Sequence, residues 1–190
     1  NWLAQCSSNS RLHCAHMLTC LRLALRRTHA KQPRAHVKLA PPALAELQWW
    51  STIQQLQPLH WQVAAPTVFI QTDASDTDVG FALTDAMRTT TTMSLPLPQH
   101  AIGGSSCLRE LCGIHAALKH LTAVQQPSTG GAPVTVEIKS DSTAAAGAIR
   151  RSYSPSPSVM RGALAILRLA ESHRLVLQVK FVPGVLNVLA

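Results

Sequence analysis

The repeat of the hydrophobic residues changes at residue 66, and that change restricts the fold more than any other property of the sequence. In PTVFIQTDAS, Val68, Ile70 and Thr72 fall on one side of an extended chain and Phe69, Gln71 and Asp73 on the other. A period of two marks a β-strand. It returns in VTVEIKSD (134–141), with Val134, Val136 and Ile138 on one face, and a last strand, RLVLQVKFV (174–182), ends at Pro183-Gly184. After the first strand, the turn SDTD leads through Gly80 to a second short strand, FALTD, and TTTTMSL (89–95) is a β-branched third strand stopped by Pro96 and Pro98. Helical spacing takes over elsewhere. Ser105 or Ser106 can cap a helix carrying Leu108, Leu111, Ile114, Leu118 and Leu121. STAAAGAIRR (142–151) is a short helix, VMRGALAILRLAESH (159–173) a longer amphipathic one, and PSTGGAP and SYSPSPS connect elements. The order β-β-β-α-β-α-α-β predicts an α/β domain over 66–190. Its five-stranded mixed sheet is antiparallel first and parallel later, with flanking helices.

Residues 1–62 read differently, as a small basic helical segment. Residues 1–65 hold seven Lys/Arg and one acid, whereas 66–190 hold ten and eight. Leu12, Met17, Leu18, Leu21 and Leu25 share a helical face beside Arg22 and Arg26. KQPRAHVKLAPP (31–42) breaks the pattern with Pro33, Pro41 and Pro42, and a second helix is expected over about 43–56. Two solvated amphipathic helices and a basic nucleic-acid track both fit this pattern. His13, Cys14, His16 and Cys20 match no closed zinc site, because a second Cys/His pair is absent.

The whole chain carries a formal charge of +8, which suits a polyanionic partner. Three Phe, four Trp and one Tyr are too few for a broad base-stacking platform. No apolar run is long enough to cross a membrane. The five cysteines form no CxxC pair, which favours a reducing, intracellular setting, cytoplasmic or nuclear. The N-terminus lacks Met and a cleavable-signal layout, so the sequence reads as a piece of a longer chain.

Three acids carry the chemistry. Asp73 closes the first strand, Asp141 closes the fourth, and Glu110 lies in the first turn of the first long helix. If strands one and four are parallel neighbours, their carboxyl ends bring Asp73 and Asp141 together, and the helix can set Glu110 above them. Such a cluster repels itself and needs cations; oxygen donors suit a hard divalent ion, with Mg²⁺ the natural choice. Two such ions can hold the attacking and leaving oxygens of a phosphoryl displacement. The plainer alternatives are a turn or cap role for each Asp and a helix-dipole role for Glu110.

TDASDTDVGFAL, SSCLREL, SDSTAA and VPGVLNVLA, in that order, resemble the successive motifs of the ribonuclease H domain of retroelement polyproteins. The similarity is greatest to DIRS-type and related elements that carry a tyrosine recombinase. The resemblance covers about 66–190; more loosely, 1–60 with ELQWW resembles the connector after the reverse transcriptase palm. It implies Mg²⁺-dependent cleavage of the RNA strand of RNA–DNA hybrids, with two ions, and a reverse transcriptase domain of the same polyprotein as partner. Asp73, Glu110 and Asp141 become the catalytic metal ligands. Gly80 would sit where the first hairpin needs a close backbone approach. Ser142 and Thr143 stand where they can touch the hybrid backbone or cap the next helix. Arg109, Lys139, Arg150 and Arg151 are the phosphate-contact candidates, against an ordinary solvated basic surface.

Two departures qualify that match. The family places a fourth Asp just after N-x-x-A, and here Asn187 and Ala190 match where the sequence ends. Phe181 and Val182 stand near where the family often has a His before Pro-Gly. The expectation is a domain truncated at its C-terminus with impaired activity and a weakened second metal site. The alternative is a non-catalytic nucleic-acid-binding module of the same fold.

Overall fold

Alternation in β1 (Val68–Ala74) buries Val68, Ile70 and Thr72 and leaves Asp73 exposed at the strand end. The computed structural model describes residues 12–27, 38–52, 64–124 and 133–187. The expected linker over 31–37, the end of the second helix, the loop 127–132 and Ala190 lie outside them. The chain divides into two compact units, Asn1–Trp61 and Gln62–Ala190.

In the first unit a 3-10 turn, Leu12–Cys14, leads into α1 (Ala15–Arg27), which is followed by α2 (Pro41–Thr52). Pro41 and Pro42 were expected to end a linker; instead they open α2. Proline is well placed there, because the first helical N–H groups have no partner within the helix. Glu46 is buried and accepts hydrogen bonds from the backbone N–H of His16 and of Met17, both at 2.8 Å, at the start of α1. A carboxylate there also faces the positive end of the helix dipole. His16 Nδ1 contacts the same carboxylate at 2.8 Å, His13 stacks on Trp49 at 3.6 Å, and Trp50 Nε1 donates to the His13 carbonyl. Along the expected apolar face of α1, Leu12 is buried while Leu18, Leu21 and Leu25 are exposed.

The second unit holds β1, β2 (Asp78–Thr84), β3 (Thr90–Pro96), α3 (Ser106–Val124), β4 (Val134–Ser140), α4 (Thr143–Arg151), α5 (Pro157–Ser172) and β5 (Leu175–Phe181). The strands form one sheet in the order β3-β2-β1-β4-β5. β1 pairs antiparallel with β2 and parallel with β4, and β4 pairs parallel with β5. The mixed α/β architecture is therefore as the sequence predicts. Gly80 lies inside β2, opposite Asp73, so the second strand starts earlier than FALTD suggests.

The core fills one side of this sheet. Ile70, Phe81, Leu83, Val136 and Ile138 meet Leu111, Ile114, Leu118 and Leu121 of α3, and α4 and α5 add Ala145, Ile149, Ala163 and Ile166. Each fully buried large aliphatic contributes roughly 1.5–3 kcal/mol relative to exposure. Ser105 caps α3, its Oγ accepting from Leu108 N–H at 3.3 Å, and Ser142 caps α4 through Ala145 N–H at 3.1 Å. Among the described residues no helix is long and apolar enough to cross a membrane.

Candidate functional site

Parallel pairing of β1 with β4 sets the geometry of the site. Thr72 pairs with Ser140, so the next residues, Asp73 and Asp141, leave the sheet side by side at its carboxyl edge. α3 crosses the core side and delivers Glu110. The helix begins at Ser106, so Glu110 is its fifth residue rather than part of its first turn as expected. One carboxylate oxygen from each of Asp73, Glu110 and Asp141 lies within 4.8 Å of the others. This is the one such group of metal-capable side chains among the described residues; His13, Cys14, His16 and Cys20 form none.

Burial divides the three acids. Asp73 and Asp141 are exposed, while Glu110 is buried. Desolvation first, and then the Asp141 charge, push the Glu110 carboxyl up from 4.5 to about 7; Asp73 adds to the rise. A hydrogen bond from Ser140 Oγ to Glu110 Oε2, at 3.2 Å, opposes it. Asp73 Oδ1 accepts from the Ala74 N–H at 2.8 Å, which steadies its rotamer. The donor set is all oxygen and carries more negative charge than the site neutralises by itself. That suits a hard divalent cation such as Mg²⁺.

The segment after β5 closes over the edge. A Cβ on Gly184 would come within 3.2 Å of Asp141 Oδ2, so the chain passes this carboxylate closely. Asn187 is buried and donates from Nδ2 to the Thr72 carbonyl at 2.8 Å, pinning the segment to β1 next to Asp73.

The expected nucleic-acid contacts fall in several places. Ser142 caps α4, and Thr143 is exposed at that helix's first position, directly after Asp141 and the cap. Arg150 and Arg151 are exposed in its last turn, roughly 12 Å farther along the axis. The Arg151 guanidinium folds back over Gly147. Arg109 is held at 2.9 Å by Asp76 and at 2.8 Å by the Gly104 carbonyl, neither of them a member of the acid cluster. Lys139 alternates onto the opposite sheet face from Ile138 and lies 3.8 Å from Glu137.

Ser140 was not singled out from the sequence. Its signal is a hydroxyl at the inward parity of Val136 and Ile138, where an apolar residue would be expected. Cys107 is a second omission; burial pushes its thiol up, with Ser142 hydrogen-bonded to it and Glu110 close enough to add to the rise.

No protein-family model matches the sequence, and no curated protein matches it significantly. Its structure does have counterparts. The N-terminal RNase H domain of rv2228c from Mycobacterium tuberculosis superposes with a TM-score of 0.51 at 17% identity, covering 65% of this chain and 92% of that one. This is a ribonuclease H-like fold. LC11-RNase H1, isolated from compost by a metagenomic approach, superposes on the ribonuclease H-like unit with a TM-score of 0.52 at 17% identity, covering 65% and 89%. The same enzyme in complex with an RNA/DNA hybrid gives 0.51 at 15% identity, covering 64% and 87%. In this chain the ribonuclease H-like sheet presents its acids at the carboxyl edge of neighbouring parallel strands, where ligands of open α/β sheets commonly bind.

Proposed function

We propose that the ribonuclease H-like unit cleaves the RNA strand of RNA–DNA hybrids, using Mg²⁺ held by Asp73, Glu110 and Asp141. The observation that carries this reading is the convergence of the three carboxylates within 4.8 Å. Mg²⁺ in such a site supplies an activated water and stabilises the leaving oxygen. The chain's own residues prepare the site. β1 and β4 fix Asp73 and Asp141 at adjacent positions, and Ser140 orients the Glu110 carboxylate. Glu110 shares its proton at neutral pH when no cation is near, so cation binding holds it ionised.

The hybrid lies along α4 in this reading, with Ser142, Thr143, Arg150 and Arg151 facing its backbone. A ribonuclease H of the same fold has been solved on such a hybrid, which supports the substrate class. Arg109 and Lys139 contribute after exchanging their carboxylate partners for phosphate, so their share is smaller. The four ordered motifs support an origin in a DIRS-type retroelement polyprotein. In that setting residues 1–62 are the connector from a reverse transcriptase domain and 66–190 the nuclease, at work in an intracellular compartment.

Cleavage of a labelled hybrid in Mg²⁺ tests the proposal, comparing this chain, Asp73→Asn, and the chain with an aspartate appended after Ala190. Cutting that is lost in Asp73→Asn and increased by the appended aspartate is expected. Hybrid binding without cutting in all three would instead make the unit a non-catalytic nucleic-acid-binding module.

A further inference from the structure

A groove of about 490 Å³ runs between α3, α5 and the end of the β2–β3 hairpin, apart from the acid cluster. Its floor is aliphatic, built from Val79, Leu95, Leu108 and Leu111. Its charged side chains are both basic, Lys119 and Arg161; His100, His115 and the Cys112 thiol are the other titratable groups lining it, and no Asp or Glu does. On α3 the lining runs from Leu108 to Lys119, roughly 16 Å of helix axis, the length of about three helical turns.

We propose that this groove binds an acidic amphipathic peptide segment of a partner, with aliphatic side chains on its floor and carboxylates against Lys119 and Arg161. Charge complementarity selects the partner's sign, and the apolar floor selects its anchors. No Phe, Tyr or Trp lines the groove, so the stacking surface it offers a nucleic-acid base is limited to the imidazoles of His100 and His115. The occupant comes from outside this sequence. All nine acids lie in the described elements and turns, and the remaining segments, residues 1–11, 28–37, 53–63, 125–132 and 188–190, contain neither Asp nor Glu.

Fluorescence anisotropy on the full chain tests this with a labelled helical peptide of about eleven residues, carrying leucines on one face and glutamates beside them. Three comparison probes are the same peptide with lysines for glutamates, the same peptide with serines for leucines, and a single-stranded oligonucleotide. The acidic leucine peptide is expected to bind at least about tenfold more tightly than either altered peptide. Lys119→Glu/Arg161→Glu is expected to weaken it at least about tenfold, whereas Lys38→Glu/Arg168→Glu, an equal charge change outside the groove, leaves it unchanged. Ala165→Phe, which fills the groove from α5 without altering charge, is expected to weaken it as well. Thermal melts establish that each variant is folded. Equal binding of the acidic and lysine peptides, or equal loss in both charge-reversal variants, would overturn the proposal. So would loss of oligonucleotide binding in Lys119→Glu/Arg161→Glu with the acidic peptide unaffected, which would make the groove a nucleic-acid surface.

Discussion

Ser140 Oγ donates to Glu110 Oε2 at 3.2 Å, and both residues are buried. The hydroxyl thus stabilises the ionised form of the carboxylate that its surroundings push hardest toward protonation. Ser140→Ala is expected to raise the Glu110 pKa above its present value of about 7 and to weaken Mg²⁺ binding at neutral pH. Loss of a hydrogen bond to a charged group costs about 1.5–3 kcal/mol. Carboxyl-carbon NMR titration of Glu110 in both proteins reads the shift; an unchanged midpoint would contradict the role of Ser140.

The same carboxyl makes stability depend on pH. The folded state holds the Glu110 proton more tightly than the unfolded chain does, because its pKa rises from 4.5 to about 7 on folding. The associated stability is therefore fully present below about pH 4.5 and is lost as pH rises through 7, by about 3 kcal/mol in the absence of a divalent ion. His115 slopes the other way: burial lowers its pKa, so its contribution rises with pH up to its ordinary 6.5. Comparison with Glu110→Gln isolates the carboxyl. Urea unfolding at pH 8.5 should find Glu110→Gln more stable than the parent chain, and Mg²⁺ should narrow the gap. A parent chain equal to or more stable than the variant at that pH would refute this.

The fold was legible because its signals are local and redundant. The alternation in VFIQTDA and VTVEIKS fixed which strand faces are buried, and Leu108, Leu111, Ile114, Leu118 and Leu121 fixed the buried face of α3. Asp73 and Asp141 could be placed together once parallel neighbours were assumed, and the register of β1 on β4 supplies that assumption. Partners set by tertiary structure were not legible. Arg109 looks like a phosphate contact from its place beside Glu110, yet the turn after β1 brings Asp76 to its guanidinium. Lys139 sits one residue from Ser140, and the pleat sends it to the other face. Pro41 and Pro42 read equally as a linker end or a helix start, and only the helix that follows decides.

Asn187 ties the segment after β5 to the strand that carries Asp73, through its bond to the Thr72 carbonyl. Asn187→Ala removes that bond from a buried site and is expected to destabilise the unit by about 1–2 kcal/mol. The missing constraint also frees the stretch that passes Asp141 at Gly184, so hybrid cleavage should fall as well. Urea midpoints and cleavage rates check this; a variant unchanged in both would show that the bond does nothing for the site.

Phosphate binding by α4 has a separate signature. Replacing Arg150 and Arg151 with alanine should weaken hybrid binding without regard to sequence. It should also reduce the slope of log affinity on log salt by about 1 for each phosphate that is no longer neutralised. Binding measured from low to moderate salt tests it, and an unaltered slope would place the hybrid elsewhere.

Whether the three carboxylates share one cation is tested most directly by Mn²⁺ binding followed by electron paramagnetic resonance at neutral pH. The chain should bind Mn²⁺ at a saturable site that Mg²⁺ displaces. Asp73→Asn, Glu110→Gln and Asp141→Asn should each weaken that binding at least about tenfold. Mn²⁺ held equally well by all three variants would mean that the acids at the strand ends are neighbours without a common ligand.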